Sequence, residues 1–164
     1  MILIEPTIQA SFGRALRRRA LSAFLREASA PAGVKGEVSV LLTGDEEIRA
    51  LNRDFRGKDK ATDVLSFPAV EPVNGDKRMG GDLAVSVETA ARQAEEFGHP
   101  VATELQILVL HGLLHLGGYD HEKDTGQMAR KEASLRRRFG LTAGLIERSA
   151  RAVGSGSARR RSRP

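Results

Sequence analysis

Between Pro100 and the pair Gly117-Gly118 the chain reads VATELQILVLHGLLHL. An apolar run of helix-forming residues, with proline at its start and glycines past its end, predicts one long helix. That helix carries His111 and His115, four residues apart and therefore on one face, one turn apart. The glycine pair stops it and turns the chain back, so that His121 can reach the same point in space. Three of the four histidines thus fall within HGLLHLGGYDH, from His111 to His121. A satisfied core histidine accounts for one such ring but not readily for three, and the leucine and valine flanking His111 and His115 offer no hydrogen-bond partners. Three neutral nitrogen ligands around one metal ion, with a corner left open, is the chemistry this pattern supports. Zinc is the first choice for three imidazoles, with nickel, copper and iron left open.

The offsets 0, 4 and 10, with glycine at 7, match H-E-x-x-H-x-x-G-x-x-H, in which the residue after the first histidine is the glutamate base of a peptidase. Here Gly112 stands there and can move no proton. The metal geometry is retained and the peptidase base is missing. Met128, soon after His121, is read as a core contact of the last helix.

The rest of the chain alternates strands and helices. Ile2 to Ile8 reads as a strand and Arg14 to Ala28 as an amphipathic helix with a basic face. Pro31 to Gly36 is a loop, and EVSVLL from Glu37 to Leu42 a strand. The next helix is capped by Thr43 or Asp45 and pinned by Ile48, Leu51 and Phe55. DVLSF is a short strand ending at Pro68, and Pro68 to Gly81 a long loop. DLAVSV from Asp82 is a strand, and Glu88 to Phe97 a helix ended by Gly98. A charged helix runs from about His121 to Phe139. The fold class expected is α+β: a small mixed sheet of about four strands packed with about five helices, carrying a zincin-like three-histidine site.

With 164 residues, one domain over 1–150 is expected, followed by a disordered basic tail over 151–164. Arg151, Arg159, Arg160, Arg161 and Arg163 account for the whole net charge of +5; without these five the 26 basic residues match the 21 acidic ones. The body is neutral, and its overall charge is no argument for nucleic acid. There are no cysteines, which excludes disulfides and thiolate metal sites. MILIEPTIQA does not read as a signal peptide, and no apolar stretch approaches the ~20 residues that span a bilayer. A soluble cytoplasmic protein is expected.

Three blocks resemble the YbeY family of bacterial metal-dependent endoribonucleases and rRNA maturation factors: HGLLHLGGYDH, LNRDFRGKDKATDVLSFP from Leu51 to Pro68, and GDLAVS from Gly81 to Ser86. The resemblance covers about residues 37–140. Ala61 departs from it, where many members carry proline, and the arginine tail lies outside it. The resemblance implies that His111, His115 and His121 hold one zinc ion and that Arg56 is required for activity. It also implies a mixed sheet with the zinc helix in the core. The implied role lies in rRNA maturation at the 3′ end of 16S rRNA and in ribosome quality control. The implied partners are an rRNA precursor, the small ribosomal subunit and assembly factors including a GTPase, with no membrane and no DNA.

An open three-histidine zinc lowers the pKa of water to roughly 7 and polarises phosphoryl oxygens, which makes glycine at 112 tolerable. Arg56 offers a planar fork to phosphate, with Lys58 and Lys60 as point charges beside it. Each is weighed against a plain solvated loop. Arg56 and His115 are placed in the catalytic role. Ser66 is a phosphate donor or a packing residue, and Asp82 a second strand residue able to line the cleft. Asp120 holds a ligand ring from behind or caps a helix, and His99 is an exposed loop residue. Tyr119 packs against the glycine turn. Arg17-Arg18-Arg19 and Arg136-Arg137-Arg138 are candidate RNA patches. With no tryptophan and one tyrosine, RNA recognition is mostly electrostatic, and a multi-base stacking platform is not expected. Two alternatives stay open: another zinc metallohydrolase, such as a peptidase using Glu122 as base, and a non-enzymatic assembly factor stabilised by structural zinc.

Overall fold

The computed structural model describes residues 1–70, 79–141, 146 and 148. Four strands form one sheet in the order β1-β2-β4-β3: β1 Ile2–Ile4, β2 Glu37–Thr43, β3 Val64–Pro68 and β4 Met79–Ser86. β1 and β2 pair in parallel, as do β2 and β4, while β3 runs antiparallel to β4 and closes one edge. Among the described residues six helices accompany the sheet: α1 Pro6–Phe12, α2 Arg18–Ser29, α3 Asp45–Arg56, α4 Val87–Phe97, α5 Val101–Leu116 and α6 Gln127–Arg138. This is the α+β mixed-sheet architecture expected. No helix among the described residues is long and apolar enough to cross a membrane.

The fold is organised by α5. From Leu105 to Leu114 every position except Gln106 is buried. A helix apolar all round has no solvent face and must lie inside. Leu83 and Val85 of β4 join its cluster, together with Leu21 and Leu25 of α2, Ala90 of α4 and Met128 of α6. Ala84, between Leu83 and Val85, points to the other face of the sheet, where Ile48 and Leu51 of α3 and Leu65 and Phe67 of β3 pack. The alternation along the strands therefore sends one set of side chains to α5 and the other to α3.

Several boundaries differ from the sequence expectation. The first strand stops at Ile4, because Pro6 opens α1, where its lack of an N–H costs nothing. The helix expected from Arg14 is broken. Gly13–Leu16 forms a 3₁₀ turn, and Arg17, with φ 48°, is the sole non-glycine residue at positive φ among the described residues. Neither Thr43 nor Asp45 caps α3; Gly44 occupies that position, and the Asp45 N–H donates to Glu88 Oε1 at 2.8 Å. Asp45 instead joins α3 to α4, its carboxylate accepting from Ser86 Oγ, Thr89 Oγ1 and Arg92. α6 starts at Gln127, because residues from His121 to Gly126 form turns held by the Asp120 and Asp124 carboxylates. Met128 is a core residue, as expected. His99 is a correction: its side chain is buried, and Nε2 lies 2.7 Å from Glu104 Oε1, which also takes one arm of a two-pronged ion pair from Arg148. The expected tail, 151–164, lies outside the described residues.

Two glycines end α5, for different reasons. A methyl on Gly117 would run into the backbone carbonyl of Ala32, whereas Gly118 sits at φ 96° with open space around its Cα. Replacing Gly117 with alanine should therefore force the loop at Ala32 off α5 and destabilise the fold by about 1–3 kcal/mol or more. Gly118→Ala should cost about 1–2 kcal/mol of left-handed backbone strain. Urea denaturation of both variants checks the contrast, and a Gly117→Ala protein as stable as wild type would remove the close approach from the account.

Candidate metal centre

His111 and His115 come from the last turns of α5, and His121 from the turn that follows the glycine pair. Their burial grades outward: His111 is 7 % exposed, His115 half-buried and His121 exposed. One ring nitrogen from each lies within 4.8 Å of the others. The two helical rings meet Nε2 to Nε2 at 3.2 Å, close to the roughly 3.3 Å that separates two nitrogens sharing a tetrahedral zinc.

What stands behind the rings decides how they present themselves. His111 Nδ1 lies 2.8 Å from Glu132 Oε2, and His115 Nδ1 lies 3.1 Å from the Tyr119 carbonyl oxygen. An oxygen acceptor behind each Nδ1 makes that nitrogen the donor and turns the lone pair of Nε2 toward the shared point. Two lone pairs facing each other at 3.2 Å repel unless a cation lies between them. The donor set therefore fits a metal ion. Burial, and after it the neighbouring rings of His111 and His121, pushes the His115 pKa below the ordinary histidine value, against the Tyr119 carbonyl and the Asp120 carboxylate. The ring is neutral at neutral pH, the form that ligates.

The three histidines open on a cleft of about 520 Å³. Arg56, at the end of α3, lines the same cleft, with Val64, Ser66 and Pro68 on one face of β3; Thr62, Asp63, Tyr119, Asp120 and Glu122 complete the wall. Of the expected site residues, the fold thus brings together His111, His115, His121, Arg56, Ser66 and Asp120. Lys58 and Lys60 do not line this cleft, and neither does Asp82. The Ser66 hydroxyl donates to the Gly112 carbonyl at 3.2 Å, which binds β3 to α5. Asp120 accepts from the Glu122 N–H and has no hydrogen bond to a histidine ring, so its role in this structure is to cap the turn. Tyr119 packs on the core cluster and also faces the cleft.

Gly112 has a steric reason. A Cβ there would meet Leu83 Cδ2 at 2.7 Å and Ser66 Oγ at 3.3 Å. Leu83 is buried, and the helix lies against the sheet at this point. A glutamate at 112 would wedge the contact apart rather than reach the cleft.

Glu132 was missed in the sequence. It lies in α6 at 1 % exposure, and its two oxygens are divided: Oε2 to His111 and Oε1 to the Ile146 N–H at 2.9 Å. The signal was its register with Met128 and Leu135, which puts a carboxylate on the buried face of a charged helix. Glu132→Gln should lower metal affinity about 10–100-fold. The amide can satisfy one of the two N–H donors but sets N–H against the other. Metal titration with an indicator dye reads this directly, and affinity equal to wild type would sever Glu132 from the centre.

Fold and site together define an α+β protein with a three-histidine group able to hold a metal ion at the floor of an open cleft. Comparison with known proteins narrows this. The family model described as Endoribonuclease YbeY matches residues 5–140. A Koribacter versatilis protein named Endoribonuclease YbeY is 52 % identical over 131 residues, 80 % of this chain and 83 % of the relative. One of the same name from Solibacter usitatus is 50 % identical over 133 residues, 81 % of this chain and 86 % of the relative. The solution structure of a Thermotoga maritima protein superposes with a TM-score of 0.51 at 33 % identity, covering 82 % of this chain and 85 % of that one. The chain belongs to the YbeY family.

Proposed function

We propose that this protein is a zinc-dependent endoribonuclease that cuts single-stranded RNA, acting in the cytoplasm on the 3′ end of 16S rRNA during maturation and in ribosome quality control. The observation that carries the reading is an unpaired arginine lining the same cleft as three convergent imidazoles. The names of the relatives support an RNA substrate; the biological setting and its partners (an rRNA precursor, the small subunit and a GTPase among its assembly factors) rest on the family resemblance.

Phosphodiester cleavage needs the phosphate charge held, a nucleophile made and the leaving oxygen stabilised. Bound at the three histidines, zinc supplies Lewis acidity to water and to a phosphoryl oxygen. Arg56 has no hydrogen bond or ion pair among the described residues, so its guanidinium is free to grip phosphate oxygens as a two-pronged donor. Its loop is held from below. Asn52 is buried and its Nδ2 donates to the Lys60 carbonyl at 2.9 Å, while Arg49 pairs with Asp59 at 2.9 Å. The Asp63 carboxylate is engaged by the Val64 N–H and by Gln93. The Glu122 carboxylate has no partner among the described residues and faces the cleft, which makes it the wall group able to carry a proton. The steric bar at Gly112 speaks against a peptidase base on the helix. A three-ligand group in an open cleft speaks against a closed structural zinc, which takes four protein ligands.

His115→Ala should abolish both metal retention and cleavage of a single-stranded RNA spanning the 3′ end of an rRNA. Full cleavage by that variant would show that a contaminating nuclease is at work. Arg56→Glu should keep its metal and lose about 10²–10³-fold in kcat, the cost of removing a donor to developing charge. Unchanged turnover would take Arg56 out of the reaction. Cleavage of peptides in place of RNA would overturn the proposal.

A further inference from the structure

We propose that Phe55 is a stacking subsite for one unpaired nucleobase beside Arg56 and outside the cleft, an inference that rests on the RNA-cleaving reading above. Phe55 is 69 % exposed, while Phe24, Phe67 and Phe139 lie in or against the cores and the Phe97 ring is covered by the Arg148 guanidinium at 4.3 Å. Among the described residues it is the most exposed aromatic ring. The core on that face of the sheet is formed by Ile48, Leu51, Leu65, Phe67 and Ala84, and Phe55, expected from the sequence to pin α3 to it, stands outside it.

The ring is nonetheless held in place. Phe55 meets Phe67 edge to face, with centroids 5.4 Å apart and planes at 75°. Phe67 is anchored in the α3-side cluster, so Phe55 leans on a fixed neighbour while its remaining surface faces water. The chain neighbours of both rings line the cleft, although the rings themselves lie on the α3 side of the sheet. Arg56, the next residue, lines the cleft, and so do Ser66 and Pro68 on either side of Phe67. Gly57, at φ 69°, ends α3 immediately beyond, and the Asn52 and Arg49–Asp59 contacts hold the loop that follows. Lys58 and Lys60 on that loop are exposed and have no ion-pair partner among the described residues.

A rigid exposed aromatic beside three uncommitted cations is the combination that binds a flexible polyanion bearing flat rings: stacking holds a base, and the cations hold the phosphates on either side. It also gives Lys58 and Lys60 a role outside the cleft, along the path of the strand. Because every base has a π-face, the subsite favours unpaired RNA without selecting a sequence.

The test compares wild type, Phe55→Ala, Phe55→Leu and Phe55→Tyr, each loaded with zinc, on a single-stranded RNA containing 2-aminopurine and on the same RNA with abasic residues. In the alanine and leucine variants KM should rise about five- to a hundredfold with kcat little changed, as expected for loss of one stacked base. Tyrosine should restore wild-type KM. The wild-type and tyrosine proteins should quench 2-aminopurine, and the leucine protein should not. Abasic RNA should erase the difference between wild type and Phe55→Ala. A leucine protein equal to wild type would mean that the ring is apolar cover and no stacking site. If wild type binds and cuts RNA and the alanine protein does so equally well, the subsite alone falls, and Phe55 becomes a contact for a protein. If wild type neither binds nor cuts the RNA, the endoribonuclease reading falls and takes the subsite with it.

Discussion

Everything in this fold answers to one constraint: α5 is buried on all sides and carries two imidazoles. Burying a polar ring without partners costs more than a surface contact returns. The structure meets that cost locally. Glu132 stands behind His111 and the Tyr119 carbonyl behind His115, so each ring keeps one satisfied nitrogen and offers the other. The same two contacts that make burial tolerable also aim the ligands. Packing and chemistry are therefore one problem here, and α6, the Gly117-Gly118 turn and the N-terminal end of α5 are parts of its solution.

The helix also sets how the remaining elements divide. Its sheet-facing side requires a close approach, which Gly112 permits and the Ser66 hydroxyl seals by donating to the Gly112 carbonyl. That contact places β3 at the cleft edge. On the opposite face of the sheet α3 packs on a small cluster of its own and ends at Gly57, so that Arg56 emerges over the rim. The arginine and the histidines are thus far apart in sequence but share a sheet edge, with β3 between them. A residue's side of the sheet decides whether it enters the cleft: Ser66 does, while its strand neighbour Phe67 serves the α3 cluster.

Much of this was legible in the chain and the rest was hidden for identifiable reasons. The histidine spacing, the glycine break and the apolar span of α5 are local signals, and they placed the metal group, the helix and the strands of the sheet. The family blocks placed Arg56. Local signals failed where a tertiary partner won. Asp45 reads as a cap but serves as a bracket between α3 and α4, because Glu88 takes over its N–H. His99 reads as a loop residue, yet Glu104, five residues on, draws it inside. Asp120, read either as a support for a histidine ring or as a cap, turns its carboxylate to the backbone of its own turn. Glu132 is invisible from the motif because its partner is 21 residues away and only the packing of α6 on α5 joins them.

In the zinc peptidase pattern the helix supplies both the ligands and the base, so the substrate must approach along the helix. Here the position after His111 is spent on helix-to-sheet contact, with Leu83 and Ser66 where a side chain would go. Charged groups beside the histidines must then come from other elements. Arg56, at the end of α3, and Glu122, in the turn after the glycines, both line the cleft. A helix pressed this closely to the sheet leaves no room for a side chain at 112, so the glycine there is a condition of the packing that holds the three histidines together.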